Sequence, residues 1–352
     1  MGRVPLVGLA LVAVAAITGC EQEAADEPHR VAAGEMIEGS GVPSELGDRP
    51  VVMLPSGKVT FTVTDPIRKL DITDTRLTEE VEPDRGVDLV GVSWERERFV
   101  YVRDAGEAMA GGVQADKSEP VGLSLAADGK TYRFPDVGTM DGLDGSSFFH
   151  VGIPRAASKV TLEVEYDGLV QAVDLRTGAV DKGAAAPLYR AELAAGAEPD
   201  ETAVSCPSVD RDRGRLRWYL SCQVARAVAV PYVPGHGWVG DGRTFIVAWT
   251  HTSPGSIHWI IDDNRYASYA AKQLRLRTTL DDITPVATLD AEQMSSSEDW
   301  LVFDVPVADA HRMRFAGEFV ATPTKAQGTG GQHPRRLTLD VEESVRLTDP
   351  TF

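Results

Sequence analysis

The 352-residue chain holds three cysteines, shows no long amphipathic helical pattern, and carries too few bases to balance its acids. Three cysteines cannot cross-link a small disulfide-dense scaffold. Thirty-five Lys and Arg stand against 53 Asp and Glu, a formal charge of −18. That balance excludes nucleic acid as a main partner, because phosphate contacts need a basic face. Catalytic signatures are missing as well: the chain has no G-x-S-x-G, no S-x-x-K, no H-E-x-x-H and no P-loop. Carboxylates are plentiful, but nothing in their spacing sets two across a cleft with one pKa raised. What remains is a 43% apolar share, ordinary for a globular protein of about two domains.

The N-terminus is the most specific segment. Met1-Gly2-Arg3 is a short basic start, and Val4 to Ile17 is an apolar run free of charge. The run is shorter than the roughly 20 residues that span a bilayer and suits the core of a signal peptide. It ends in Ile17-Thr18-Gly19-Cys20, after which the chain turns acidic. This resembles the lipobox of bacterial prolipoproteins: an aliphatic residue, two small residues and a cysteine. The resemblance implies diacylglyceryl modification of Cys20, cleavage after Gly19 and an extracytoplasmic protein held to the bacterial cell membrane by lipid. Two acyl chains on one residue give anchoring that a single chain does not.

Residues 21–50 contain eight acids and two bases with no hydrophobic period. Such a segment has too little apolar surface to offset its ordering entropy and reads as a flexible tether. As a coil it would span about 30 Å root-mean-square.

From residue 51 short apolar-alternating runs appear: Val59–Val63, Leu70–Ile72, Val90–Trp94, Leu123–Leu125 and Val160–Tyr166. Period-two alternation marks half-buried strands. Turn signals separate the runs, among them Asp128-Gly129, Asp141-Gly142, Asp144-Gly145 and Asp167-Gly168. Helix candidates are short, at Ala105–Ala110 and Pro187–Ala195. The second half repeats the order. Val59–Val63 corresponds to Leu216–Leu220, Leu70–Ile72 to Ala227–Val230, Val90–Trp94 to Phe245–Trp249, Leu123–Leu125 to Leu274–Leu276, and Phe149–Ala156 to Leu301–Ala308. Near-constant offsets in one order point to tandem duplication. About seven short antiparallel strands per half predict an all-β fold of two tandem immunoglobulin-like sandwiches. The expected layout is a signal peptide over 1–19, an acidic tether over 20–50, a sandwich over 51–182, a linker over 183–203 and a second sandwich over 204–352.

The first half also resembles small immunoglobulin-like domains common in secreted bacterial lipoproteins. The matching pieces are Asp128-Gly129-Lys130-Thr131-Tyr132, Phe149–Pro154 and Leu162–Asp167. The resemblance covers roughly residues 57–178 and implies fold rather than activity, because such domains share no catalytic site. The second half departs from it, with Asp281-Asp282 in place of Asp-Gly and no following Tyr.

With Cys20 lipidated, Cys206 and Cys222 remain, and an even remainder in an exported protein favours a disulfide. Gly235-His236-Gly237-Trp238-Val239-Gly240 matches a dinucleotide fingerprint by letter, but a strand rather than a helix follows, which rules out that use. The stretch is still the most unusual loop in the chain. Tyr232, His236, Trp238 and Asp241 are candidates for contact with a ligand or partner; the competing reading folds Trp238 back over the sandwich end. His251 and His258 have no third ligand beside them. An EF-hand begun at Asp210 fails at Ser221, and the acids at Glu79, Glu80, Glu82, Asp84 and Asp88 read as a solvated loop. No cofactor or metal ion is implied. The expected function is a non-catalytic, lipid-anchored binding or interaction module of the envelope, facing another envelope protein or a cell-wall polymer. An envelope hydrolase with an inter-domain cleft and a purely structural spacer are the alternatives.

Overall fold

The computed structural model describes residues 28–40, 49–55, 57–98, 121–134, 147–189, 203–206, 210–289, 298–326 and 332–348. The signal segment, Cys20, the Ala105–Ala110 helix, the turns at 141–145 and residues 190–202 lie outside these. The fold is all-β, as expected, with strands in two units.

The first unit comprises β1 (His29–Val31), β2 (Met36–Glu38), β3 (Val51–Leu54), β4 (Gly57–Val63), β5 (Val81–Pro83) and β6 (Val87–Arg98). Beyond these come β7 (Val121–Ala127), β8 (Lys130–Arg133), β9 (Ser147–Pro154), β10 (Val160–Tyr166), β11 (Leu169–Asp174) and β12 (Val180–Asp181). One sheet runs β2-β9-β6-β4-β3 and faces a second, β12-β11-β10-β7-β8. Alternation places Val59, Phe61, Val90, Val92 and Trp94 of the first against Leu123, Leu125, Leu162, Val164 and Val173 of the second. Trp94 stacks on Phe149 at 5.9 Å and meets the edge of Phe134 at 5.5 Å.

Two boundaries differ from expectation. Residues 28–40, read as part of a flexible tether, build β1, paired parallel with β5, and β2, paired antiparallel with β9. Val31 and Ile37 are buried, while the surrounding polar groups find partners: Arg30 pairs with Glu82, Arg76 with Glu38, and His29 Nε2 lies 2.7 Å from Glu35 Oε1. Two apolar residues six apart are too sparse to show a period, so composition alone hid them. The second boundary concerns the expected linker and helix near 187. A 3₁₀ turn over Gly183–Tyr189 packs Ala185 and Leu188 against Met53. The Met53 N–H donates to Tyr189 Oη (3.0 Å), which donates to Gln171 Oε1 (2.6 Å). Gln171 Nε2 donates in turn to the Met53 carbonyl (2.7 Å), which closes the network.

The second unit begins with β13 (Val204–Ser205), β14 (Asp210–Arg213), β15 (Leu216–Val230), β16 (Tyr232–Val233), β17 (Gly237–Trp238) and β18 (Arg243–Asp262). It continues through β19 (Arg265–Leu280), β20 (Ala287–Leu289), β21 (Glu298–Pro306), β22 (Ala310–Ala326) and β23 (Leu337–Thr348). Apart from the β16–β17 hairpin, these form one nine-stranded antiparallel sheet, not two small ones. It folds around a main core that includes Trp218, Ile246, Ile257, Phe303, Phe315, Phe319 and Leu339, with a smaller cluster of Val228, Val230, Phe245, Val247, Trp300 and Val302 beside it. β18 makes this continuity: its first half pairs with β21, its second half with β19, and β15 runs along both. The expected strands Leu216–Leu220 and Ala227–Val230 are one strand with bulges between Trp218 and Leu220 and between Val224 and Arg226. A bulge moves alternation to the other face, so one long strand reads as two short ones.

The pairing order of the halves nevertheless recurs. β4-β6-β9 and β7-β10-β11 in the first unit have counterparts in β15-β18-β21 and β19-β22-β23. Register does not follow. Val92 lies opposite Phe149, whereas Val247 lies opposite Val302, one residue beyond the counterpart Leu301. Trp94 fills the first core; Trp249 lies outside the second, stacked on Trp300 at 5.9 Å.

Cys206 and Cys222 are bonded, with Cα atoms 5.3 Å apart and a sequence separation of 16. The Cys206 N–H also donates to the Cys222 carbonyl at 2.8 Å. Closing a loop of that size stabilises by about 3 kcal/mol on the chain-entropy model. Alkylation without reductant should leave both thiols unlabelled, and the C206S/C222S double variant should lose about that much stability in a urea melt. Two labelled thiols, or an unchanged midpoint, would refute the staple.

Candidate functional site

The loop singled out in the sequence is the β16–β17 hairpin. Pro231 ends β15, and Gly235 (φ 78°) and Gly237 (φ 76°) take the left-handed backbone that reverses the chain within three residues. The hairpin brings Tyr232 directly opposite Trp238. It belongs by sequence to the second unit, yet its aromatics serve the first. Tyr232 is 4% exposed and joins the first unit's core, its ring 5.4 Å from Tyr166 and 5.1 Å from Trp238. Trp238 Nε1 donates to the Tyr166 carbonyl at 2.9 Å and its ring also packs beside Met53 and Leu188. Burial, reinforced by Tyr166 and Asp167, pushes the Tyr232 phenol well above its ordinary pKa, so it stays protonated.

The four candidate contact residues therefore divide. Tyr232 and Trp238 fill the seam between the units and are not presented to a partner, which corrects that half of the expectation. His236 and Asp241 are exposed beside it. Large aromatics between tight turns serve an internal seam and an external interface by the same physics, so residue type could not separate the two.

Other sequence candidates have settled partners. Glu79 lies 3.6 Å from His29, Glu80 pairs with Lys69 (2.8 Å), Glu82 with Arg30 (2.9 Å) and Asp88 with Arg155 (2.8 Å). His251 Nε2 lies 3.1 Å from Ser253 Oγ and His258 Nδ1 lies 3.4 Å from Ser268 Oγ, in separate contacts. Among the described residues no group of three His, Cys, Asp or Glu side chains is arranged to hold a metal ion. His150 is buried beneath Phe148, and desolvation holds its pKa below the usual imidazole value.

Sequence reading missed a concavity of about 720 Å³ at one end of the second unit. Its walls are the Asp281-Asp282 turn after β19, Arg312 and Arg314 on β22, and Glu342, Glu343 and Ser344 on β23. Both aspartates have left-handed backbone (φ 49° and 63°), a conformation Asp tolerates better than most residues. The turn is held from behind. Asp281 Oδ2 lies 2.6 Å from Nδ1 of His311, whose side chain is 1% exposed, and Asp281 Oδ1 accepts the Arg312 N–H at 2.8 Å. Asp281 N–H donates to the Arg312 carbonyl at 2.8 Å, so backbone and side chain both tie the turn to β22. The available signal was the replacement of the Asp-Gly turn by Asp281-Asp282. An acidic pair at a turn gains meaning only once the arginines two strands away are beside it.

Compared with known protein families, with curated proteins and with solved structures, the chain matches none.

Proposed function

We propose that the chain is a lipid-anchored protein of the bacterial cell envelope whose two β units work as one non-catalytic binding body. The observation that carries this reading is the succession of features at the N-terminus and the seam. A lipobox ending at Cys20 is followed nine residues later by β1, which is built into the first unit. The first unit is in turn joined to the second by the buried Tyr232 and half-buried Trp238. A body so joined holds any surface site in one fixed relation to β1, the strand that follows the anchor segment. A hydrolase working in a cleft between the units is less well supported, because the rings of Tyr166, Tyr232 and Trp238 occupy that place. The partner is another envelope protein or a cell-wall polymer.

Anchoring is tested by the Cys20→Ala variant in fractionated cells. The native protein should be recovered with membranes and require detergent for release. The variant should move to the soluble extracytoplasmic fraction by about tenfold or more, since no acyl chain is left to partition. Retention of the variant in the membrane fraction would overturn the anchoring reading.

A further inference from the structure

The walls of the concavity beside β22 include two charges without an ion pair among the described residues. Three of its four carboxylates are engaged: Asp281 with His311 and the Arg312 N–H, Glu342 with the Arg314 guanidinium, and Glu343 in a contact of its own. Asp282 and Arg312 are both exposed and line the same space, yet neither forms a side-chain ion pair among the described residues. The turn and the strand thus hold an acid and a base on one cavity wall without letting them meet.

The cationic side is reinforced. In the β22–β23 ladder Arg312 lies directly opposite Arg346, also exposed and without an ion pair among the described residues. Like charges in directly opposed positions destabilise a sheet. In a chain of formal charge −18, where acids outnumber bases, such a pairing is not a by-product of composition. One row along, Ser344 lies opposite Arg314 and adds a hydroxyl donor to the same wall. An anionic group seated in the concavity at Arg312 would relieve its repulsion from the neighbouring Arg346, and a cationic group reaching Asp282 would complete the match.

We propose that this concavity is a binding site for a hydrophilic zwitterion, a small molecule or chain end carrying both a carboxylate and an ammonium group. Its volume of about 720 Å³ lies in the range of small-molecule sites and takes a peptide of a few residues. The predominance of charged lining suits a polar ligand. Bonds from His311 and Arg312 fix the turn before any ligand arrives, which lowers the ordering cost of binding. The proposal rests on the binding reading above and gives it a site and a ligand chemistry.

The test is a ligand-observed NMR titration of the full-length protein in detergent micelles with three probes. Ala-Ala, the simplest peptide with both charges, should bind. N-acetylalanine, which keeps only the carboxylate, and alaninamide, which keeps only the ammonium, should each bind at least about tenfold more weakly. Arg312→Ala and Asp282→Asn should each weaken Ala-Ala by about tenfold, while Lys159→Ala on the first unit should not. Both site residues are exposed, and circular dichroism melts verify that the variants stay folded. No binding of Ala-Ala, equal binding of N-acetylalanine, or variants indistinguishable from the native protein would each overturn the zwitterion site. Release of the Cys20→Ala variant would still stand in those cases, so a wrong ligand class is distinguishable from a wrong view of the anchored body.

Discussion

Replacing Tyr232 by alanine should destabilise the protein by about 4 kcal/mol, the range for deleting a buried aromatic ring. The loss should be felt in the unit to which Tyr232 does not belong by sequence. Its ring completes the core built around Val92, Leu125 and Leu162, and it touches both Tyr166 and Trp238. Truncation leaves a cavity at the foot of the first sandwich and loosens the Trp238 bond to the Tyr166 carbonyl. Urea denaturation followed by tryptophan fluorescence should show the native single transition splitting into two, the first unit melting earlier. Tyr232→Phe keeps the ring and loses only the hydroxyl, so it should cost about 1 kcal/mol and retain one transition. A Tyr232→Ala protein that melts in one step within 1 kcal/mol of the native one would mean that the seam does not couple the units.

Gly317→Ala should be comparably damaging for an unrelated reason. Gly317 sits in β22 opposite Leu276, just past the bulge between Gln273 and Arg275 of β19. A Cβ at Gly317 would come 1.9 Å from the Arg275 carbonyl oxygen and 2.9 Å from the Leu276 Cα. Both are backbone atoms in paired strands, so relief requires moving a strand and not merely turning a side chain. Overpacking of this kind costs about 3 kcal/mol. Gly240→Ala is the matched control: nothing lies within 4 Å of its Cβ position and its φ is not positive, so it should leave stability unchanged or slightly raised. Thermal melts of the pair separate the two cases. A Gly317→Ala protein as stable as Gly240→Ala would show that β19 and β22 are not held in the register described.

The all-β class, the strands β4, β6, β7, β10 and β21, and the Cys206–Cys222 bond were legible in the sequence because each depends on short-range information. Alternation over three to seven residues and a count of cysteines suffice for them. What was not legible depends on long-range pairing. β1 and β2 are too short for a period and owe their place to β5 and β9. The 20-residue β18 merges two sheets into one because its halves find different neighbours. The match of Trp94 with Trp249 preserved the strand and missed the face, since a one-residue slip turns every side chain over. The candidate site shows the same division. Tyr232 and Trp238 were visible as aromatic anchors, but which surface they anchor was not. Asp282 and Arg312 come to line one cavity, and Arg346 comes to lie opposite Arg312, only across a turn and two strands, and nothing local joins them.

The early start of β1 also changes how the protein would search for its partners. If Cys20 carries the proposed lipid, only eight residues lie between it and His29, and a chain extended over that span would reach about 30 Å. The body would then explore a shallow layer above the bilayer, and a membrane-borne target inside that layer would meet it at an effective concentration in about the millimolar range. At such concentrations a site whose free ligand binds only weakly would be occupied much of the time. Affinity need not be high where the leash is short.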